Sequence, residues 1–564
     1  MSDRIIRQSF QNAETTAFGA LNDSAKRNPD APAVSFFGKR TSYKKLIKDV
    51  EDTARALSAA GICADDAVTF MLPNCPQAVS VFYAISRLGA VANMIHTLSS
   101  AEEISYYMEQ AKSRFIVTLN SFVPVVSKAI EQSGIRASII YTKIIDKMSP
   151  SVRIAYTVKT IKEKKVKPKV YGALYLKDLL RQGKPAVLPT VNFIKNRTSI
   201  ILYSGGSTGY PKGICLSDYN LNSLSIQVAD FAGYRLGPGL KFLSAMPLFH
   251  GFGLGVGLHS LLCNGAQCVL VPKFDLDSYV KTLLKEKINM LAIVPSMLES
   301  FLRSDAFDGK DLSYLKGIFC GADSTPVVLQ ERVNSFLKDH NCREKVREGY
   351  GLTETVTACI LNPVDKVKTG SIGLPLGETK CRIVRPGTFE DLPFGETGEL
   401  IINGPSVMLK YLNAPEETEK VLKKSNDGNI WLFTGDLCTM DEEGYVYFVQ
   451  RLKRLIITNG YNVSPSQVER VINDTAGVKN SCVIGLKNRL SGQQVAAFVI
   501  PAEGADENKL RADVLKACTE RLSAYAVPTK IVFMREFPLT KMGKIDYTKM
   551  ETDANAKTRR NKNA

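Results

Sequence analysis

The segment 203–213 reads Tyr-Ser-Gly-Gly-Ser-Thr-Gly-Tyr-Pro-Lys-Gly, and these residue types are typical of a loop that holds a polyphosphate. Glycines permit positive φ angles, which lets consecutive backbone N–H groups point at one anion. Hydroxyl groups and one lysine charge supply further donors. The residues that could contact phosphate oxygens are Ser204, Gly205, Gly206, Ser207, Thr208, Gly209 and Lys212.

The spacing of these glycines differs from that of the common nucleotide-binding motifs. A Walker loop needs glycine, four residues and then Gly-Lys-Ser/Thr, but Tyr210 and Pro211 stand where its second glycine would be. A second glycine-rich run at 251–257 lacks the dinucleotide spacing, because Val256 and Leu258 occupy the third-glycine positions. Taken alone, a Gly/Ser loop is also compatible with a surface turn. The choice between a phosphate-binding loop and a surface turn therefore depends on the other motifs.

Five more segments carry side chains suited to nucleotide chemistry. In the run Tyr-Gly-Leu-Thr-Glu at 350–354, the aromatic ring could stack on a base and the carboxylate of Glu354 could bind Mg²⁺. Asp436 closes a β-prone run, where it could accept hydrogen bonds from ribose hydroxyls, and Arg451 offers a fixed cation for phosphate. Lys544 follows a flexible glycine, and the segment 246–253 combines an apolar wall with one imidazole.

The elements that must position these residues have an α/β pattern. Short β-prone runs alternate with longer amphipathic helical stretches from about residue 30 to 360, which predicts parallel-rich sheets flanked by helices. Between 377 and 448 the strands become shorter and predict a β-rich subdomain. The last hundred or so residues predict a small α+β unit, with strands at 481–484, 495–500 and 530–534 and helices at 465–475 and 507–522.

The net charge of +17 is concentrated in one segment, since residues 143–184 contain twelve basic and three acidic residues. Apolar residues interleave with these charges, so a helix there would have an apolar stripe beside a cationic face. The pattern favours a solvated helix packed on its own domain, and a peripheral contact with an anionic membrane is the alternative. We expect no nucleic-acid partner, because no recognised binding module accompanies the charge.

Length and composition limit the classes of protein to which the chain can belong. The 564 residues exceed what one core supports, so two or more domains are expected. No apolar run reaches the roughly 18 residues of a membrane span, and the N-terminus lacks the features of a signal peptide, so we expect a cytoplasmic protein, with any membrane contact peripheral at the inner face. The twelve cysteines and four histidines show no metal-ligand spacing, which predicts reduced thiols and no zinc site.

Together these motifs resemble those of the adenylate-forming superfamily, which includes acyl-CoA synthetases, the adenylation domains of nonribosomal peptide synthetases and firefly luciferase. The resemblance extends from 41–46 to 543–544 and so covers nearly the whole chain. It implies a large N-terminal domain at 1–450, with a β-rich subdomain at about 375–450 and the basic insertion at about 143–184. A hinge at 451–453 and a small mobile α+β domain at 454–564 would follow.

The resemblance also implies a two-step reaction that uses ATP, Mg²⁺ and coenzyme A. A carboxylate attacks the α-phosphate of ATP to form acyl-AMP and pyrophosphate, and a thiol then attacks the mixed anhydride. The implied catalytic residues are Lys544, Glu354 and Thr208, the last two as metal ligands. Besides the loop, the implied nucleotide site comprises Gly321, Ala322, Gly349, Tyr350, Gly351, Thr353, Asp436 and Arg451. Phe249, His250, Gly251 and Gly253 would line the acyl pocket, Lys453 would be the hinge and Gly460 would face the thiol tunnel.

Residues that depart from the commonest motifs of the superfamily indicate which class of carboxylic acid is the substrate. Gly205 stands where many members carry serine, and Ile457 and Asn459 stand where coumarate ligases and luciferases tend to have lysines. Both features resemble long-chain fatty acid–CoA ligases and favour a medium- or long-chain fatty acid. The alternatives are an aryl or steroid acid–CoA ligase, an acyl-AMP ligase that loads a separate carrier protein, and a non-catalytic acyl or nucleotide sensor. Gln450, Lys410 and Gln467 also depart from the usual residues but remove no catalytic group.

Overall fold

The chain folds into two compact units, seen in a computed structural model that describes residues 10–162, 172–182, 187–204, 211–272, 275–458, 461–488, 492–540 and 545–560. The first unit comprises Met1–Cys381 and Ile402–Leu432, and the second comprises Arg382–Ile401 and Phe433–Ala564. This division is based on packing. The hinge expected at 451–453 is a statement about motion, so it stays a prediction.

An eight-stranded sheet of the first unit carries the strand that leads into the predicted phosphate loop. Its order is β19-β9-β8-β4-β3-β5-β6-β7, parallel from β8 to β7 and antiparallel at β9 and β19. The strands are β3 (Ala67–Met71), β4 (Val91–Met94), β5 (Phe115–Leu119), β6 (Ser138–Thr142), β7 (Ala173–Tyr175), β8 (Thr198–Ser204), β9 (Lys212–Ser217) and β19 (Lys410–Tyr411). Every residue of β5 is buried, as expected for a parallel strand covered on both faces.

A nine-stranded sheet of the same unit has the order β16-β15-β14-β13-β12-β10-β11-β1-β2. Its interior strands are parallel and only its edges are antiparallel. The strands are β1 (Pro32–Phe36), β2 (Lys39–Ser42), β10 (Lys241–Ser244), β11 (Gln267–Leu270), β12 (Met290–Ile293), β13 (Gly317–Cys320), β14 (Val346–Tyr350), β15 (Ile360–Leu361) and β16 (Leu374–Pro375). The expectation of parallel-rich sheets is confirmed.

Helices with clear start signals connect these strands. Pro76 opens one helix at its first position, and Ser100 and Glu103 form a capping box at another. The helices of the first unit are α1 (Ala17–Arg27), α2 (Tyr43–Ala59), α3 (Pro76–Arg87), α4 (Ala101–Gln110), α5 (Val123–Ser133), α6 (Pro150–Lys162), α7 (Leu176–Gln182), α8 (Asp218–Phe231), α9 (Ser260–Cys263), α10 (Leu276–Glu286), α11 (Pro295–Leu302), α12 (Val327–Asp339) and α13 (Pro415–Val421).

The β-rich region expected after residue 377 contains a five-stranded sheet of order β17-β18-β21-β20, with β22 paired to β21. Its strands are β17 (Lys380–Val384), β18 (Gly398–Asn403), β20 (Leu422–Lys424), β21 (Ile430–Met440) and β22 (Val446–Arg451). The sequence suggested that the run at 431–436 ends at Asp436. That was wrong, because β21 continues to Met440, and Asp436 lies within this strand, where it pairs with Arg451 at the end of the antiparallel ladder with β22.

The C-terminal part of the second unit is the predicted α+β arrangement. It contains β23 (Ile456–Thr458), β24 (Tyr461–Val463), β25 (Val478–Asn488), β26 (Gly492–Pro501) and β27 (Lys530–Phe533), with α14 (Pro465–Asn473), α15 (Glu507–Arg521) and α16 (Tyr547–Arg560). β25 and β26 form a long antiparallel hairpin, and β27 adds in parallel to β26. α16 and the short strands β23 and β24 were not predicted.

The basic segment contains α6, whose residues 151 and 153–158 are exposed. Val152 packs partly against the core, whereas Ile154 is 66% and Val158 45% exposed. Within the expected basic stretch at 143–184, residues 163–171 and 183–184 lie outside the described ranges. Within the ranges that the structure describes, no helix combines the length and apolar character needed to cross a bilayer.

Candidate active site

The predicted phosphate loop connects two antiparallel strands. β8 ends at Ser204, β9 begins at Lys212, and these two residues are partners in the ladder. The loop residues Gly205, Gly206, Ser207, Thr208 and Gly209 lie outside the described residues, as do Gly460 and Lys544. Their roles stay predictions, but both ends of the loop have defined positions.

Lys212 is held at the end of the loop by two groups from one distant segment. Its Nζ lies 2.6 Å from Oε2 of Glu417 and 5.0 Å from the ring centroid of Tyr411. Lys212 and Lys420, both hydrogen-bonded to Glu417, lower the pKa of that carboxyl to about 2. The sequence analysis selected Lys212 but neither of its partners.

Glu354 lies in the 3₁₀ turn Thr353–Thr355 and is fixed at two points. Its Oε1 accepts a hydrogen bond of 2.7 Å from the hydroxyl of Tyr411, and its backbone carbonyl accepts one of 2.7 Å from the N–H of Met408. Oε2 has no partner among the residues that the structure describes. A half-buried carboxylate with one oxygen held and one available suits Mg²⁺, which prefers oxygen ligands.

Tyr350 ends β14, and close packing leaves no room for a side chain at Gly351 and little room at Gly349. A Cβ atom on Gly351 would lie 1.2 Å from the carbonyl oxygen of Thr357, and one on Gly349 would lie 2.9 Å from Cδ1 of Leu361. The structure also brings Gly321 to this strand end, because a Cβ there would lie 3.0 Å from the carbonyl oxygen of Gly349. Ala322 follows with a φ of +73°, an unusual conformation for alanine.

β14 also contains two buried charged residues, Arg347 and Glu348, just before Tyr350. As neighbours in a strand, their side chains point to opposite faces of the sheet. Arg347 is 1% exposed and donates to the carbonyls of Phe231 and Ala232, at the C-terminal end of α8, and of Asn362. Glu348 is 5% exposed and accepts from the N–H of Thr325 and from Gln330. Burial raises the pKa of Glu348 to about 7. Sequence analysis missed both, although charges beside an apolar strand were a usable signal.

Asp436 and Arg451, the residues expected near the ribose and phosphate, form a pair inside the second unit. They face each other across β21 and β22, with Nε of Arg451 3.3 Å from Oδ1 of Asp436. The Asp436 side chain is 2% exposed and that of Arg451 is 60% exposed. Lys453 follows in the 3₁₀ turn Leu452–Arg454. Because Tyr350 and Glu354 belong to the first unit, one site formed by all four stays a prediction.

The segment expected to line an acyl pocket leads into a π-helix at Phe252–His259, and of the four expected residues only Gly253 lies within that helix. Its glycines allow close packing, because a Cβ on Gly251 would lie 1.6 Å from the carbonyl oxygen of Val356, and one on Gly253 would lie 2.1 Å from that of Pro247. A side chain at either position would meet backbone atoms, so close packing requires glycine there. Phe249 is buried with its ring centroid 4.5 Å from that of His96. Nδ1 of His250 accepts a hydrogen bond from the Phe252 N–H.

The structure describes three of the residues that depart from the usual motifs, Lys410, Gln450 and Gln467. Lys410 is exposed on β19, opposite Cys215. Oε1 of Gln450 accepts a hydrogen bond of 2.6 Å from the hydroxyl of Ser464, which also accepts from the Gln467 N–H at the start of α14. All twelve cysteines lie within the described ranges, where none of them forms a disulfide, and ten are buried.

The chain is also similar to proteins of known class. A ligase of Bacillus subtilis (strain 168) named Long-chain-fatty-acid–CoA ligase is 32% identical over 532 residues, covering 93% of this chain and 92% of that protein. A protein of the same name from Yersinia pestis is 31% identical over 538 residues, with the same two coverages. ATP-bound MatB from Rhodopseudomonas palustris has a TM-score of 0.81 at 26% identity, covering 96% of this chain and 99% of that chain.

A structure of the anthranilate CoA ligase AuaEII with anthranoyl-AMP shares the fold, with a TM-score of 0.80 at 23% identity over 97% of this chain and 98% of that chain. The family model described as AMP-binding enzyme matches residues 21–412, and the one described as AMP-binding enzyme C-terminal domain matches residues 467–544. These matches confirm the resemblance of the motifs: the chain belongs to the AMP-binding enzyme family and is an adenylate-forming acid–thiol ligase.

Proposed function

We propose that this ligase joins a medium- or long-chain fatty acid to coenzyme A, with ATP cleaved to AMP and pyrophosphate. One observation carries the nucleotide half of the proposal: Tyr411 contacts both Glu354 and Lys212, at the base of the β8–β9 loop. Tyr411 therefore holds a carboxylate with one available oxygen and an ammonium group close together, at the end of the loop that would bind the triphosphate. The names of the relatives and the Gly-Gly form of the loop support the fatty acid.

In the proposed first step the substrate carboxylate attacks the α-phosphate, the bond to the β-phosphate breaks and pyrophosphate leaves. The attacking group is already anionic, so it needs no general base; it needs cations and donors around the developing charge. The loop with Lys212 would hold the β- and γ-phosphates, and Lys544 would contact the carboxylate and α-phosphate oxygens. Mg²⁺ held by Glu354 and Thr208 would neutralise phosphate charge.

Tyr350 would stack on adenine, between the backbones of Gly321, Ala322, Gly349 and Gly351. Asp436 would accept hydrogen bonds from the ribose hydroxyls, with Arg451 beside it. In the second step the thiol of coenzyme A attacks the acyl carbonyl and AMP leaves. A rotation at Lys453 between the two steps would withdraw Lys544 and bring Gly460 to the thiol path.

The first step is tested by replacing Lys544 with alanine. We expect Lys544→Ala to abolish acid-dependent pyrophosphate release while thiolysis of supplied acyl-adenylate is largely retained. Lys541→Ala, which removes the same charge three residues earlier in the same segment, is the matched control and should keep both activities. Unchanged pyrophosphate release by Lys544→Ala would overturn the assignment.

The acid and the acceptor are tested together by measuring AMP formation with straight-chain fatty acids of increasing length, benzoate-type acids and steroid acids, each with and without coenzyme A. The proposal expects the highest kcat/KM for a fatty acid and a rate that rises with coenzyme A. Preference for an aryl or steroid acid would overturn the fatty-acid assignment. A rate indifferent to coenzyme A would indicate carrier-protein loading instead.

We also propose that α6 makes a peripheral contact with an anionic membrane. Ile154 and Val158 are four residues apart, which places them on one side of the helix, whereas Val152 lies on the opposite side and contacts the core. The apolar pair therefore points away from the protein, beside the basic residues of the segment. Such a helix is attracted to anionic lipid by charge and inserts its apolar side at the interface.

Co-sedimentation with vesicles containing phosphatidylserine tests the contact. Ile154→Asp combined with Val158→Asp should reduce binding of the full chain severalfold. Val328→Asp is the matched control, because Val328 is also 66% exposed on a helix of the same unit but lies outside the basic segment. Equal binding by the wild type and the double variant would refute the contact.

A further inference from the structure

The segment 408–418 positions both charged groups of the proposed triphosphate site. Its members contact Glu354 and Lys212 through different atoms, while the backbone of the segment is bonded to the strand that follows the loop. The N–H of Leu409 donates to the carbonyl of Cys215, and the N–H of Leu412 donates to that of Gly213, at 2.9 and 2.7 Å. The segment therefore moves with the β8–β9 hairpin.

Tyr411 is the residue of this segment that faces both groups. Its side chain is buried, its hydroxyl donates to Glu354 Oε1 at 2.7 Å, and its ring centroid lies 5.0 Å from Lys212 Nζ. Its own N–H donates to Oγ1 of Thr418 at 3.0 Å, which fixes the tyrosine against the first turns of α13. The same short helix carries Glu417, the ion-pair partner of Lys212.

We propose that Tyr411 is a positioning residue for the metal–triphosphate complex, an inference that rests on the proposed function. Its hydroxyl holds one oxygen of Glu354, so the carboxylate has one orientation and directs Oε2 away from the tyrosine. Its ring separately supports the ammonium group of Lys212 through a cation–π contact. Hydrogen bonds that orient metal ligands in this way typically change metal affinity about 10- to 100-fold when removed.

The two contacts can be removed one at a time. Tyr411→Phe keeps the ring against Lys212 and deletes only the hydrogen bond to Glu354, whereas Tyr411→Leu deletes both. Tyr234→Phe is the matched control, because the hydroxyl of Tyr234 also donates to a glutamate, Glu344, of the same unit. All variants are made in the full chain, and their fold is checked by thermal unfolding.

Calorimetric binding of ATP, with Mg²⁺ and separately with EDTA, is the readout, and no acid substrate is present. We expect Tyr411→Phe to weaken binding of ATP in Mg²⁺ about tenfold and to change binding in EDTA less than about twofold. Tyr411→Leu should weaken both, and Tyr234→Phe neither. Equal effects of Tyr411→Phe under the two conditions, or no effect, would overturn the role of Tyr411.

The wild type separates failure of this inference from failure of the proposed function. If the wild type neither binds ATP nor releases pyrophosphate with any acid, the proposed function is wrong. If the wild type does both and Tyr411→Phe binds ATP in Mg²⁺ as tightly, only the positioning role is wrong.

Discussion

The two carboxylates expected to contact the nucleotide, Glu354 and Asp436, are held in different ways. Glu354 is half-buried in a short turn, and the hydroxyl that holds it comes from a residue 57 positions later in the chain. Asp436 is almost completely buried within strand β21, and its cationic partner is the residue directly opposite in the next strand. Long-range packing therefore fixes Glu354, and the register of one ladder fixes Asp436.

This difference predicts unequal consequences of mutation. A group oriented by a distant segment can lose its orientation without loss of the fold, whereas a group inside a ladder keeps its position as long as the strands pair. We therefore expect Glu354→Gln to lower the rate at saturating ATP and Asp436→Asn to lower the affinity for the nucleotide.

The largest effect is expected for Glu354→Gln. The amide keeps an oxygen that can accept from Tyr411 but loses the negative charge toward Mg²⁺, so pyrophosphate release at saturating ATP should fall about 10²- to 10³-fold. Acid-dependent pyrophosphate release measures this, and thermal unfolding shows whether the fold is kept. A loss confined to the KM for ATP would contradict the assigned role.

Asp436→Asn should act mainly on binding. The side chain keeps its shape inside β21, but the charge that would strengthen hydrogen bonds from ribose is lost, so the Kd for ATP should rise about 10- to 100-fold. Arg451→Gln, at the exposed end of the same pair, should have a smaller effect. The contrast with Glu354 fails if Asp436→Asn lowers kcat at saturating ATP as strongly as Glu354→Gln does.

Glu417→Gln should have a modest effect in the opposite direction. It removes a carboxylate beside the site proposed for a polyanion and frees Lys212, so the KM for ATP should fall by up to about fivefold at low salt and less at high salt. Glu416→Gln removes the same charge from the neighbouring, exposed position and should change the KM little. A higher KM for Glu417→Gln would mean that the ion pair orients Lys212 for phosphate.

The smallest expected effect is on the pH dependence of folding stability, to which the protonation of Glu348 contributes. Its pKa is raised to about 7, so between pH of about 5 and 7 the folded state holds a proton that the unfolded state has released. The stability contributed by this group therefore falls as pH rises through that window. Glu348→Gln removes this dependence, and its Tm relative to the wild type should increase from pH 5 to pH 8. A constant Tm difference would contradict the raised pKa.

The sequence was sufficient for the parts of the site that depend on local chemistry. The strand before the phosphate loop, the position of Lys212 at its end and the Tyr-Gly-Leu-Thr-Glu turn follow from residue type and short spacing. The predicted helices at 465–475 and 507–522 agree with α14 and α15 within two residues. The end proposed for the strand at Asp436 was wrong, because a glycine inside a strand, here Gly435 with a φ of +68°, reads like a turn signal.

The partners of those residues could not be predicted. Tyr411 and Glu417 lie in a segment whose own pattern, a short strand followed by a proline-started helix, contains no sign of a binding site. Arg347 and Glu348 could have been noticed as charges beside an apolar strand, but the sequence does not show which groups would form hydrogen bonds with them once they are buried. Backbone carbonyls and a distant glutamine satisfy them, and those become neighbours only when sheets and helices pack.

The sequence by itself determined the family, the reaction class and the identity of the chemical groups, because phosphate binding and metal binding need particular atoms at short spacing. Tertiary structure alone decided which of those groups are held and by what: the tyrosine on Glu354, the glutamate on Lys212 and the packed glycines of the π-helix. The physical reason is that a hydrogen bond or an ion pair depends on distances of about 3 Å, which the fold creates between residues far apart in the chain.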